Sequence, residues 1–268
     1  MAKLLKLHSL TTVIRSCCTH AVRVSTRLVS VQRAGVLASA LWALTPVGQA
    51  AVTEATPAAS GSFSYDSLYS LLLAEMAIQR SQPQTALQEY ARQSRNTGDT
   101  NIIERSIEIA NYLQDSKTAL PLAQQWAQVN PGKAQAFYQL AYHALKQQQY
   151  EQAITAIDQL LMLEPEAELE SLFLSAYPAN AEGRKHLLNA LSSLEQTYPD
   201  NANLLFAHGL LEGENGNYPV ALTYMDKART KNPKSVPIVL LEARILTLGK
   251  QEKQAVKLLE HALTANPR

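Results

Sequence analysis

Five prolines recur along this 268-residue chain at an unbroken interval of 34: Pro131, Pro165, Pro199, Pro233 and Pro267. A fixed period of about 34 residues indicates stacked helix–turn–helix units. Proline lacks an amide donor, and its ring pushes the preceding residue out of the helical region. Each proline is therefore expected to end one unit. Such a stack offers a long surface and no obvious enclosed pocket for chemistry.

The unit from Ala134 to Pro165 shows the pattern most clearly. Its first segment, AQAFYQLAYHALK, places four residues on one helical face: Phe137, Leu140, Ala141 and Ala144. After the turn QQQY, the segment EQAITAIDQLLML places Ala153, Ile157 and Leu160 on one stripe. The small residues Ala141 and Ala153 predict a close crossing of the two helices.

The other units repeat this plan with varying fidelity. Position 20, counted from the first residue of each unit, reads Ala86, Ala119, Ala153, Leu187, Ala221 and Ala255. Gly209 occupies the small position 8 of its unit, and Gly216 lies where a residue with positive φ would end the first helix. The second unit is ambiguous at position 8, because Ile107 is in register but bulky and Ser106 is one residue off.

This pattern resembles the tetratricopeptide repeat, which has small residues at positions 8 and 20, aromatic or large apolar residues at positions 4, 11, 17 and 24, and Pro at position 32. The resemblance runs from Tyr65 to Pro267. It implies an all-α fold, a right-handed α-solenoid of about six helix–turn–helix repeats. We place these repeats at residues 67–99, 100–133, 134–167, 168–201, 202–235 and 236–268, within a solenoid domain spanning 66–268. No segment alternates apolar and polar residues as an exposed strand would.

The fourth unit departs from the pattern. Pro178 and Gly183 fall in what should be the end of its first helix and the turn. We predict a shortened helix over Glu166–Tyr177, a loop over Pro178–Glu182 and a second helix over Gly183–Thr197. The unit is either a degenerate repeat that still stacks or a hinge that changes the curvature of the array.

Residues 1–50 differ in composition from the rest of the chain. They hold six of the 24 Lys and Arg residues and no acid, which leaves 18 basic against 23 acidic residues beyond them, a balance of −5. A net-acidic body argues against a nucleic-acid partner. The basic start, the apolar stretch AGVLASALWALTP and the small residues Val47 and Ala50 together predict a secretory signal peptide, cleaved after Ala50.

The length of the basic region leaves other interpretations open. The start codon could lie downstream, residues 34–52 could form an uncleaved membrane anchor, or the segment could be a mitochondrial presequence. Cys17 and Cys18, the only two cysteines, could accept a lipid, but Arg15 spoils the apolar context that such a site needs. Residues 51–65, with the sequence TPAASGSFS, are expected to be a flexible linker.

No catalytic arrangement is visible in the sequence. None of the six histidines has the H-E-x-x-H spacing of a metalloenzyme, and Gly209, Gly213 and Gly216 follow no strand that would make them a phosphate-binding loop. We therefore expect no metal, no cofactor and no enzymatic activity.

Protein binding is the function that the pattern favours. Certain positions of each first helix are expected to line the concave groove of the stack, and the candidate binding residues at these positions are Glu104, Glu108, Tyr138, Tyr142, Phe206, Leu210 and Arg244. Aromatic side chains on a rigid wall are effective anchors at interfaces. Tyr142 and Phe206 could instead pack between neighbouring first helices.

One stretch resembles a narrower group. The segments LLLAEMAIQR, ALQEYARQSRNTGD and ERSIEIANYL are similar to the beginning of bacterial envelope proteins built from tetratricopeptide repeats. That resemblance implies an outer-membrane lipoprotein of about twice this length, acting as an adaptor for a carboxyl-terminal processing protease. The chain lacks the clear lipid-attachment cysteine of that group.

Three functional hypotheses follow. The leading one is a non-catalytic scaffold in the periplasm or cell envelope of a Gram-negative bacterium, with a protein partner and with membrane contact only through an uncleaved leader. The second is a self-associating structural component of an envelope assembly, since the last repeat leaves Leu259 and Leu263 partly open. The third is an enzyme whose catalytic half is lost or lies downstream.

Overall fold

The computed structural model describes residues 64–265. This part of the chain consists of helices joined by short turns, and it contains no strand. Its twelve helices are α1 (Tyr65–Gln79), α2 (Pro83–Thr97), α3 (Thr100–Tyr112), α4 (Ser116–Val129), α5 (Ala134–Lys146), α6 (Tyr150–Leu163), α7 (Glu170–Ala176), α8 (Ala181–Thr197), α9 (Ala202–Glu214), α10 (Tyr218–Lys231), α11 (Val236–Leu248) and α12 (Glu252–Ala265). Odd-numbered helices are the first helices of their repeats and even-numbered helices the second. The predicted α-solenoid is confirmed.

The periodic prolines act as the sequence predicts. Four second helices end two residues before their proline, at Val129, Leu163, Thr197 and Lys231. The residue between helix and proline lies outside the helical region in each case, with φ from −125° to −134° and ψ from 63° to 87°. The steric effect of proline on its predecessor explains this geometry, so the 34-residue interval marks the physical ends of the second helices.

The turn inside each repeat depends on one backbone conformation. Position 15 has a positive φ in five of the six repeats: Ser81, Gln114, Gln148, Gly216 and Lys250. The prediction for Gly216, where φ is 82°, is confirmed. The other four residues carry a Cβ, which makes this left-handed conformation unfavourable. Composition alone therefore identifies only one of the five turns.

Small residues allow the helix pairs to pack closely. Ala141 and Ala153 are both fully buried between α5 and α6. At Gly209 on α9, a Cβ would come within 2.7 Å of the Met225 side chain and 3.2 Å of the Ala221 carbonyl oxygen on α10. The glycine is therefore required by the approach of α10 rather than by its own backbone angles.

The fourth repeat departs from the plan further than predicted. Its first helix, α7, covers Glu170–Ala176 instead of Glu166–Tyr177, and its second helix begins at Ala181 instead of Gly183. Asn180 fixes that start, since its side-chain oxygen accepts a hydrogen bond from the Gly183 amide at 2.5 Å. In the other five repeats the two helices pack tightly on each other, whereas α7 packs on α5 and α9.

The predicted signal peptide and its alternatives, together with Cys17 and Cys18, lie outside the described residues, as does nearly all of the linker predicted over 51–65. No helix within residues 64–265 has the length and hydropathy needed to cross a bilayer.

Candidate protein-binding surface

The first helices of the third, fourth and sixth repeats form one connected surface. The hydroxyl groups of Tyr138 on α5 and Ser171 on α7 lie 3.0 Å apart. The Ser235 hydroxyl, directly before α11, donates to the Glu170 carboxylate at 3.0 Å. Thus α7 joins α5 to α11. We call the surface made by Tyr138, Tyr142, Ser171, Leu174, Val236 and Leu240 the first-helix surface.

Two of the predicted binding residues do not belong to this surface. Phe206 is 0% exposed and Leu210 is 1% exposed, so the prediction that they line an open groove is wrong. The cause is the displaced α7, which packs against α9 and contributes Leu172 and Phe173 to the same buried cluster. For Phe206, the alternative of packing between neighbouring helices describes the structure.

Tyr138 and Tyr142 lie one helical turn apart on α5, and both are half-buried. Tyr142 packs edge-on against His143, with ring centroids 4.9 Å apart, and the Lys146 ammonium lies 5.8 Å from the Tyr142 ring centroid. These contacts restrict the Tyr142 ring before any partner arrives. Both tyrosines retain accessible surface, as an aromatic anchor requires.

The charged residues that were predicted as binding residues are already paired within the chain. Glu104 forms an ion pair with Lys133. The Glu108 carboxylate lies 2.9 Å from the Arg105 guanidinium, and the Arg244 guanidinium lies 2.7 Å from the Glu214 carboxylate. Each charge therefore has an internal counter-ion, and the polar requirement of these side chains is met without a partner.

The apolar part of the surface was only partly visible in the sequence. Leu174 on α7 and Val236 and Leu240 on α11 are all exposed. Leu174 occupies position 7 of its unit, which is covered in a regular repeat. Only the irregular packing of α7 leaves it open, so the repeat pattern gave no signal for it.

His143 is the most unusual polar residue near this surface. It is buried, its Nδ1 lies 3.2 Å from the Ser116 hydroxyl, and its Nε2 has no hydrogen-bond partner. Burial lowers the pKa of His143 to about 4, and the nearby carboxylate of Asp115 offsets this only in part. The imidazole is therefore neutral at pH 7 and serves as a packing residue.

Within residues 64–265, no three side chains of His, Cys, Asp or Glu are grouped so that they could hold a metal ion. His208 lies between charged neighbours, and its Nδ1 is 2.5 Å from the Glu195 carboxylate. Its ring stacks on Tyr224 with centroids 3.8 Å apart. These contacts join α8, α9 and α10 and give the histidine a structural role.

Paired helices, turns at a fixed position and breaks every 34 residues define a helical-repeat protein. A TPR repeat-containing protein of Pseudomonas aeruginosa is 34% identical to the chain over 223 residues, which are 83% of this chain and 38% of that protein. The chain thus spans well under half the length of that relative. Together with the repeat geometry, this similarity places the chain among the tetratricopeptide-repeat proteins.

Several solved structures are also similar to the chain. MamA of Desulfovibrio magneticus RS-1 is 14% identical and covers 76% of this chain and 96% of its own, with a TM-score of 0.43. A thermophilic TPR protein of Thermus thermophilus is 15% identical and covers 75% of this chain and 92% of its own, with a TM-score of 0.39. No protein-family model matches the chain.

Proposed function

We propose that this chain is a non-catalytic scaffold that docks a polypeptide partner on its first-helix surface. The observation that carries the proposal is the chemistry of that surface. Two half-buried tyrosines and exposed aliphatic side chains lie on connected helices, while Glu104, Glu108 and Arg244 have counter-ions within the chain. Contiguous exposed apolar surface is characteristic of interaction sites.

The rigidity of the repeats supplies the mechanism. Because α5 and α11 pack on their second helices and α7 packs on α5 and α9, we expect the surface to be ordered before binding. A pre-organised wall lowers the conformational entropy that is lost on docking. Since the exposed side chains of the surface are mainly aliphatic and aromatic, we expect a partner segment with apolar side chains.

The proposed location is the periplasm or cell envelope. It rests on the sequence of residues 1–50, in which a basic start, an apolar stretch and a small-residue exit follow one another. Determination of the N-terminal residue of the protein from cells tests this location. A mature chain beginning at Ala51 supports export and cleavage, whereas a chain beginning at Met1 in the cytosol contradicts them.

A carboxyl-terminal processing protease is the partner class that we propose to test first. Its support is the resemblance of the LLLAEMAIQR and ERSIEIANYL segments to envelope adaptors. Addition of the full chain to such a protease is expected to produce a complex and to raise its cleavage rate. A protease that neither binds nor responds excludes this partner while leaving the scaffold proposal intact.

The scaffold proposal is tested by capture from an envelope extract. The variant Leu174→Asp/Leu240→Asp is expected to retain roughly tenfold less of the partner than the natural chain, since each change places a charge in an apolar contact. The matched control is Met162→Asp, because Met162 is an exposed apolar residue on the second helix α6. Equal retention by the natural chain and the double variant would contradict docking on the first-helix surface.

A further inference from the structure

The start of α7 is fixed by a side chain from the next repeat. Asn203 on α9 is buried, and its Nδ2 donates to the Ala167 carbonyl oxygen at 2.9 Å. Its Oδ1 accepts a hydrogen bond from the Leu169 amide at 3.4 Å. Leu169 directly precedes α7, and its own side chain forms no capping hydrogen bond. Asn203 therefore supplies, from α9, the polar partner that the start of α7 lacks.

The other polar contacts of α7 also come from outside its repeat. Tyr138 on α5 contacts the Ser171 hydroxyl. Ser235, directly before α11, donates to the Glu170 carboxylate. In the other five repeats the first helix packs tightly on its second helix, whereas α7 has no such packing with α8. The position of α7 therefore depends on its neighbours in other repeats and not on its own second helix.

The length of α7 makes it easy to displace. It has seven residues and is the shortest helix within residues 64–265. A helix of this length is not stable without tertiary contacts, because it forms few hydrogen bonds for the turn that it must nucleate. Residues 164–169 before it and 177–180 after it are not helical. Thus α7 can leave its site without the unwinding of another helix.

Glu170 makes the packed position of α7 less favourable. The residue is only 7% exposed, and its carboxylate accepts from the Ser235 hydroxyl. In the part of the chain that the structure describes, no basic side chain forms an ion pair with Glu170. A buried carboxylate without a counter-ion is less favourable than one in water. Movement of α7 into solvent relieves this cost.

Apolar burial opposes that movement. Leu169, Leu172 and Phe173 are fully buried, and α7 packs on α9, where Phe206 and Leu210 are buried as well. These side chains make the packed position the dominant one. The contacts that oppose the buried charge and the short length of α7 are therefore the apolar ones and the two hydrogen bonds from α9.

We propose that α7 opens and closes independently of the helices around it, and that Asn203 is the positioning residue that holds it closed. Closed α7 places Ser171 and Leu174 on the first-helix surface, and open α7 removes both. The fraction of closed chains then sets the apparent affinity for a partner. This regulation rests on the proposed function, because it concerns the same surface, whereas the opening of α7 does not.

Hydrogen–deuterium exchange of the full chain, followed by mass spectrometry of its peptides, measures the opening. The amides of α7 are expected to exchange at least about tenfold faster than those of α5 and α9. Asn203→Ala removes both hydrogen bonds from α9 and should raise α7 exchange roughly 30-fold, with α5 unchanged. The matched control is Gln135→Ala, which changes an exposed residue at the same position 2 of α5 and should leave α7 exchange unchanged.

Glu170→Gln is expected to act in the opposite direction. The glutamine keeps an oxygen that can accept from Ser235 but removes the buried charge, so α7 exchange should slow about threefold. This variant decides the question even if Asn203→Ala fails to fold. Exchange of α7 as slow as that of α5 in the natural chain, or α7 exchange that Glu170→Gln does not slow, would overturn independent opening.

A photoreactive amino acid at Leu240 on α11 tests the regulation, because Leu240 does not belong to α7. In cells, Asn203→Ala should lower the yield of the partner adduct at least about twofold relative to Gln135→Ala. Equal yields despite faster α7 exchange would overturn regulation by α7 and leave docking intact. A natural chain that forms no adduct would contradict the docking and the regulation together, while the exchange measurements would still decide whether α7 opens.

Discussion

Phe206→Ala is expected to lower the free energy of unfolding by about 3–5 kcal/mol, the usual cost of removing a buried phenylalanine side chain. Phe206 is fully buried beneath α7, in the cluster that includes Leu172 and Phe173. Its truncation leaves a cavity that the short α7 and the packed α9 can fill only in part. Urea denaturation followed by circular dichroism measures the change.

The matched variant is Tyr138→Ala, because Tyr138 holds the equivalent position 5 on α5 but is only half-buried. It should cost clearly less stability than Phe206→Ala. A Phe206→Ala protein that is as stable as the natural chain would show that Phe206 is accessible and that α7 does not cover it.

Acidification is expected to remove up to about 3 kcal/mol of stability through His143 alone. Burial holds the pKa of His143 near 4 in the folded chain, well below its ordinary value of 6.5. The unfolded chain therefore binds a proton that the folded chain does not. The contribution of His143 to the free energy of unfolding is fully present above pH 6.5 and is lost as the pH falls toward 4.

The variant His143→Ile isolates this contribution. Isoleucine suits the site, because position 10 is aliphatic in three other stacked helices, at Ile109, Leu211 and Ile245. Urea denaturation at pH 7 and at pH 4 should show a smaller loss on acidification for His143→Ile than for the natural chain. His186→Ile, which changes an exposed imidazole, should lose as much as the natural chain. Equal losses in all three proteins would mean that His143 is protonated in the fold.

Most of the fold could be predicted from the residues that recur with the repeat. The prolines and the small crossing residues are direct consequences of helix geometry, so Pro131, Ala141 and Ala153 locate their helices from the sequence alone. The turn residues are harder to predict. Gln114 and Gln148 have a positive φ, but among these three residues only Gly216 is of a type that favours it. The packing of the two helices of the repeat imposes this turn conformation, and the propensity of a single residue does not predict it.

The first-helix surface was harder to predict because it depends on one irregular helix. The repeat register assigns Phe206 and Leu210 to an open wall. The actual α7 is short and packs on α9, so it buries both residues and exposes Leu174 in their place. The repeat register predicts on which face of a helix a residue lies. Whether that face is exposed to solvent depends on how the neighbouring helices pack.

Site-specific photocrosslinking in cells tests docking on the first-helix surface most directly. A photoreactive amino acid placed at Ser171 or Leu240 is expected to form a covalent adduct with a partner protein, and the same amino acid at Met162 is expected to form none. An adduct at Met162 with none at Ser171 or Leu240 would show that the partner binds the second helices and would contradict the proposed function.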